Sequence, residues 1–207
     1  MNRSSFALTI TCTVVFAFAA LFAPFPAAAS AIDIGLVPMQ DFSCDALAPA
    51  TPSASTPAAG TASPQIMLPS GTPVLTEADY PAGDDADPAV AEALVALETR
   101  YAACLNAGDL PAAASILAQP LRDRLFSPAL LAKKAQASPV PSSDPVGAIA
   151  LRCIRQSGDG AAVAFIDHFD DNAVRTSTMM RVYRELADGW HVVEQAGVKG
   201  VSTESCP

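Results

Sequence analysis

Asp167 is the residue of this chain best suited to acid–base chemistry. Its two-residue spacing from Phe165 and Val163 places it on an otherwise apolar strand face, where it would point into the core. A carboxylate there can act as a general base when a hydrogen-bond donor stands opposite it. Tyr101 and Tyr183 are the candidate donors, so the three together predict an isomerase- or dehydratase-like site. The competing prediction is an Asp167 at a strand end in contact with solvent, as isolated carboxylates usually are.

The two histidines offer proton transfer but no catalytic arrangement. His168 has the opposite strand parity from Asp167, and His191 adjoins Trp190 on the other face of its strand. Each is either a proton shuttle or a partly exposed surface histidine. Because no Asp–His pair shares a face and no Gly-x-Ser-x-Gly motif occurs, the sequence indicates no activated nucleophile.

Arg175 and Arg181 lie on the same predicted strand face, which suggests an anion-binding site as a second possibility. Arg175 and Arg181 alternate with Ser177, Met179 and Tyr183, and such a stripe would bind an anion if it lined a cavity. We expect the outer, solvated face of a long strand instead, because antiparallel sheets commonly keep one face in water.

A long helix must position Tyr101. Asp87 is its predicted N-cap, Pro88 suits its first turn, and Gly108 ends it in a left-handed conformation. Glu98 falls outside the apolar stripe of this helix. Helical spacing places six residues on that stripe: Val90, Leu94, Leu97, Tyr101, Cys104 and Gly108.

Further helices and then strands follow. Asp109 caps a second helix that runs to about Ala118, and Ser127 caps another that ends near Ala137. Alternation then predicts an antiparallel meander of four strands, with a hairpin turn at Asp188-Gly189. Their expected ranges are Gly147–Arg155, Ala161–Phe169, Val174–Leu186 and Trp190–Val198. Helices followed by strands indicate an α+β fold, with the helices on one face of a curved sheet.

These elements resemble the nuclear transport factor two-like superfamily, which includes SnoaL-like and ketosteroid isomerase-like domains. The resemblance rests on the helix end Asn106-Ala107-Gly108-Asp109 and on the hairpin Asp188-Gly189-Trp190-His191-Val192. It implies a cone, in which a strongly curved sheet wraps around the long first helix. Members of this superfamily are enzymes, binding modules or dimerisation domains, so fold alone selects none of these. One departure is that Leu121–Phe126, where the family has a strand hairpin, is short and charged.

Within such a cone, four residues are candidates for lining a pocket. Trp190 is expected in the core against the first helix, and the others are Tyr101, Phe165 and Asp167.

The amino terminus has the pattern of an export signal. Arg3 precedes an uncharged apolar run, and Ala29-Ser30-Ala31 is a plausible cleavage site. The alternative is an uncleaved anchor, because the run approaches the length that spans a bilayer. Four segments are therefore expected: a signal peptide at 1–31, a disordered Ala/Pro/Ser/Thr-rich tether at 32–86, the folded domain at 87–200 and a tail at 201–207.

Four cysteines remain once the signal is removed: Cys44, Cys104, Cys153 and Cys206. An even number in an exported chain predicts two disulfides, with three connectivities open. We favour Cys104–Cys153, because both lie on predicted core faces, and Cys44–Cys206, which would join the two tails. Buried free thiols are the alternative. No Cys-x-x-Cys or paired histidines indicate a metal site, and no cofactor is expected.

The net charge of the chain disfavours some classes of binding partner. The formal net charge is −9 and no Lys/Arg-rich run occurs, which disfavours nucleic acid and anionic membranes as partners. Membrane attachment is expected only if the N-terminal segment stays uncleaved. We predict an exported, non-catalytic domain on a flexible tether that binds a small apolar molecule or forms a homodimer. An enzyme using Asp167 and a purely structural accessory domain are the alternatives.

Overall fold

The computed structural model describes residues 32–40, 42–44, 80–81, 83–199 and 206. The expected signal peptide at 1–31 lies outside these residues, as do most of the expected tether and of the C-terminal tail. The described residues contain, in chain order, β1 Ile32–Pro38, β2 Asp84–Asp85, α1 Pro88–Ala107, α2 Leu110–Ala114, α3 Gln119–Leu125, α4 Pro128–Ala135, β3 Ala148–Gln156, β4 Ala162–Phe169, β5 Arg175–Leu186 and β6 Gly189–Gly197.

The predicted helix caps are confirmed. The Asp87 side chain accepts a hydrogen bond from the Ala89 amide at 2.8 Å, which satisfies a free donor at the start of α1. Gly108 ends α1 with φ 76°, and a Cβ there would lie 1.9 Å from the Val140 carbonyl oxygen. Asp109 then caps α2 by accepting from the Ala112 amide at 3.0 Å. Helix α2 stops at Ala114, short of the expected end near Ala118.

Helix α3 was not predicted, since Leu121–Phe126 carries three charged residues and only a short apolar pattern. Tertiary packing explains it: Leu121 is buried among the helices and sheet, while Pro120 occupies the first turn, where no amide donor is needed. Helix α3 therefore stands where the resemblance would imply a strand hairpin.

The strands form one antiparallel sheet in the order β1-β3-β4-β5-β6, with the short β2 also paired to β3. The predicted meander β3–β6 is confirmed. The assignment of 32–38 to a disordered tether is wrong, because Ile32–Pro38 pairs with β3 as an edge strand. Seven residues are too short a pattern to distinguish from a linker, and only pairing with β3 fixes them.

Apolar residues pack on both faces of the sheet. On one face, residues of the helices pack with Ile149, Leu151, Ile166 and Val192 in the larger cluster, called here the helix-side core. On the other face, Val163, Phe165 and Met180 form the second core with Tyr80. The Tyr80 hydroxyl donates to the carbonyl oxygens of Val163, at 2.9 Å, and of Cys153. The fold is therefore α+β, and Tyr80, within the expected tether, belongs to its core.

All four cysteines form disulfides, but the favoured pairing is wrong. The bonds are Cys44–Cys104 and Cys153–Cys206. A bulge in β3 explains the error: Cys153 has φ 57° at a register shift, so its side chain joins the second core rather than facing α1. Two disulfides fit a protein of an oxidising, extracytoplasmic compartment.

Candidate functional site

A buried polar cluster joins α1 to β5 inside the helix-side core. Arg181 and Glu98 form an ion pair, each with a side chain that is 1% exposed. The Tyr183 hydroxyl donates to the second carboxylate oxygen of Glu98 at 2.8 Å, and the Arg181 guanidinium lies 4.5 Å from the centre of the Tyr101 ring. This cluster satisfies both oxygens of Glu98 and leaves the Arg181 Nε–H without a hydrogen-bond partner.

Burial and the ion pair set the charges of this cluster. Burial, the largest single effect, would lower the pKa of Arg181, but the Glu98 carboxylate together with Tyr101 and Tyr183 outweighs it and raises that pKa above its ordinary value. Burial, followed by the same carboxylate, raises the pKa of Tyr183 well above its ordinary value, so the phenol stays neutral. The predicted solvated stripe is therefore wrong for Arg181. The placement of Glu98 off the buried face of α1 is also wrong.

Asp167 lies on the other face of the sheet. Its carboxylate accepts from Arg152 Nε at 2.7 Å and from the Thr178 hydroxyl, and Arg175 Nη1 lies 3.7 Å away. The side chain is 3% exposed, so the solvated alternative is wrong. The catalytic arrangement is also wrong, because Tyr101 and Tyr183 lie in the helix-side core while Asp167 extends from the face that holds the second core.

The four candidate lining residues do not surround one pocket. Tyr101 is in the helix-side core and Trp190 packs against it, half-buried. Phe165 is in the second core, on the same sheet face as Asp167. The sheet itself separates the two pairs.

The histidines lie apart from each other. His168 contacts the Ser177 hydroxyl through Nδ1 at 3.0 Å, and burial, aided by Arg181, lowers the pKa of its imidazole. His191 contacts the Asp188 carboxylate at 3.0 Å near the β5–β6 turn. Neither contact forms a relay to a nucleophile.

An apolar groove of about 390 Å³ opens between α1 and β1. Ile34 and Val37 of β1 form one wall. Phe42 follows them in the chain and also lines the groove. The α1 wall consists of residues at helical spacings of three and four, which share one face of the helix: Glu92, Val95, Ala96 and Thr99.

Backbone bonds and a disulfide hold the β1 wall in place. The Met39 amide donates to the Gly147 carbonyl at 2.9 Å, and the Phe42 amide donates to the Met39 carbonyl at 3.2 Å. Two residues later, Cys44 is bonded to Cys104 of α1. The chain that forms the groove is therefore fixed at β3 and at α1.

Neither the burial of Glu98 nor the groove was predicted from the sequence. The signal for the groove was a second helical face of small and β-branched residues, weaker than the Leu-rich stripe beside it. The other wall lay in a segment assigned to the tether. Within the described residues, no group of three metal-binding side chains converges. No helix in the described part of the chain is long and apolar enough to span a membrane.

Comparisons with protein families, with curated proteins and with solved structures return no match for this chain.

Proposed function

We propose that this protein is an exported, non-catalytic domain that binds a small apolar molecule in the groove between α1 and β1. The observation that carries the proposal is the groove itself, whose volume of about 390 Å³ falls in the range of small-molecule sites. Its walls are aliphatic and aromatic except for Glu92 and Thr99, so burial of apolar ligand surface supplies the affinity.

The polar clusters support a non-catalytic role. Asp167 is occupied by arginine and threonine donors, and Glu98 is occupied by Arg181 and Tyr183. A general base must lie within hydrogen-bond reach of a substrate proton. The Asp167 and Glu98 side chains are 3% and 1% exposed and neither lines the groove, so an isomerase or dehydratase reaction has no accessible base at these positions.

A homodimer is the second candidate. Leu36 of β1 is 51% exposed and Phe42 is 38% exposed, so apolar side chains follow the outer strand of the sheet. The other edge of the sheet is partly covered, because the Ala118 amide donates to the Val192 carbonyl at 2.9 Å. Pairing of two β1 strands would bury Leu36.

This proposal includes a relation to the nuclear transport factor two-like superfamily. It also includes a cone-shaped fold and attachment to a tether behind a signal peptide. A long capped helix and three shorter helices ahead of an antiparallel meander support the superfamily. The two disulfides support export.

Titration with Nile red, a neutral apolar dye, tests the function. Saturable binding with one dye per chain is expected, and Ala96→Phe should abolish it because the larger side chain fills the groove from an exposed position. Ala129→Phe, at an exposed site on α4, is the matched control and should bind as the parent does. Equal binding by both variants would contradict the groove as the site.

Sedimentation equilibrium tests the second candidate. A dimer that Leu36→Lys dissociates would favour the homodimer.

A further inference from the structure

We infer that the ligand of the groove is an amphipathic cation, with an apolar body between α1 and β1 and an ammonium-type group at Glu92. This inference rests on the proposed function and specifies the ligand class. Three observations support it: the charge of the lining residues, the place of Glu92 along the groove and the charges around the start of α1.

The lining contains one charged side chain, and it is acidic. Glu92 is exposed, so its carboxylate can meet a ligand without first giving up a protein partner. The remaining lining residues are apolar apart from the hydroxyl of Thr99, which is buried. An apolar ligand that carries a positive charge would satisfy both properties of this surface, whereas an anionic ligand would place its charge beside Glu92.

Glu92 stands at one end of the α1 wall. Val95 and Ala96 follow one turn later and Thr99 two turns later, so the carboxylate marks the end nearest the start of the helix. A ligand aligned with α1 therefore places its charged group at Glu92 and its body against Val95 and Ala96. The nearest arginine along the helix, Arg100, does not line the groove and lies about 12 Å further along the helix axis.

The start of α1 strengthens the negative field at that end. Asp84, Asp85 and Asp87 precede Glu92, and no lysine or arginine occurs from residue 83 to residue 99. Arg155 of β3 stands opposite Asp85, so the acidic residues at this end outnumber one arginine. The N-terminus of a helix carries a partial positive charge, and Asp87 offsets it here by accepting from the Ala89 amide. The end of the groove that holds Glu92 is therefore the end where a cation is most favoured.

The preference of the groove for a cationic over a neutral ligand of equal length should be modest. Ion pairs at exposed positions change binding constants by about two- to fivefold, so the apolar body carries most of the affinity and the charge selects among ligands of equal length. Added salt should reduce the preference without removing binding, because screening weakens exposed charge pairs and leaves apolar burial intact.

Isothermal titration with three ligands of one chain length tests the inference: decyltrimethylammonium and decyl sulfate, both well below their micelle concentrations, and decanol below its solubility limit. The parent protein should bind the cation about two- to fivefold more tightly than the alcohol, and the sulfate most weakly. Glu92→Gln should bind the cation and the alcohol equally. Glu185→Gln, which removes the same charge from an exposed site on β5, should keep the preference.

The outcomes separate the two proposals. Equal binding of cation and alcohol by the parent protein, or an equal loss of preference in Glu92→Gln and Glu185→Gln, overturns the inference and leaves the groove as an apolar binding site. Failure of all three ligands and of Nile red to bind saturably overturns the proposed function, and the inference with it.

Discussion

Glu98 and Arg181 form a buried ion pair in the helix-side core. Both side chains are 1% exposed, so each has lost its hydration and depends on the other for compensation. A pair of this kind contributes little net stability compared with apolar residues of similar volume. Removing one partner leaves the other charged and buried.

Glu98→Gln should therefore destabilise the protein by about 3–5 kcal/mol, because Arg181 would remain charged without a counterion. Replacing both partners, as Glu98→Met with Arg181→Met, should recover most of that loss. Urea unfolding followed by the fluorescence of the single tryptophan, Trp190, measures both effects. Glu92→Gln, on the exposed face of the same helix, is the control, with a change below about 0.5 kcal/mol. A Glu98→Gln variant as stable as this control would contradict the coupling.

We expect the stability of the protein to depend on pH through His168. Its pKa in the folded protein is below the ordinary value of 6.5, chiefly because of burial and then because of Arg181, while Glu98 and Asp167 act in the opposite direction. The unfolded chain therefore binds a proton at a pH where the folded protein does not, so stability should fall as the pH falls below about 6.5.

The measurement is the midpoint of urea unfolding between about pH 7.5 and pH 5.5, where carboxylates contribute little change. His168→Asn should flatten this dependence, since the titrating group is gone. His191→Asn removes the other histidine of the chain and serves as the control that keeps the slope. If the unfolding midpoint of His168→Asn still changes with pH as in the parent, another group causes the pH dependence.

At the scale of elements, local chemistry made some elements predictable and long-range pairing made others unpredictable. Asp87, Asp109 and Ser127 cap their helices as expected, because a cap depends only on residues two or three positions away. The positive φ of Cys153 arises where β3 meets its neighbours, so strand alternation assigned that side chain to the wrong face. The disulfide pairing was wrong for this reason.

The Cys44–Cys104 bond should matter more for ligand binding than the Cys153–Cys206 bond. It fastens the segment after Phe42 to α1, whereas the other bond belongs to the second core. Replacing Cys44 and Cys104 by serine should weaken Nile red binding by about tenfold or more, because a mobile wall must be ordered on binding. Each double replacement should also lower stability, by about 2–5 kcal/mol.

The Cys153→Ser, Cys206→Ser variant is the matched control for that experiment, since it loses one disulfide as well. It should bind the dye with nearly the parent affinity at a temperature where both variants are folded. Equal weakening in the two variants would mean that the groove depends on global stability rather than on the fixed position of Phe42.

At the scale of the whole molecule, the sequence predicted the α+β class but not the extent of the folded unit. Tyr80 shows why: its hydroxyl bonds to two strand carbonyls and its ring lies 4.4 Å from that of Phe165, yet its neighbours in sequence resemble a linker. Single residues that return to a core from a low-complexity segment leave no periodic pattern. The candidate site was missed for a related reason, since one wall of the groove is β1.

The boundary of the folded unit can be tested with two variants. A chain that begins at Asp87 lacks β1, Tyr80 and Cys44, so it loses an edge strand, two hydrogen bonds in the second core and one disulfide. It should show no cooperative thermal transition. A chain that begins at Ala31, with residues 46–78 replaced by a Gly/Ser linker of equal length, keeps those contacts and should melt within about 5 °C of the parent, because linker composition changes loop-closure entropy little. Cooperative melting of the first variant near the parent temperature would place the boundary at Asp87. Failure of the second to fold would make residues 46–78 part of the folded unit rather than a tether.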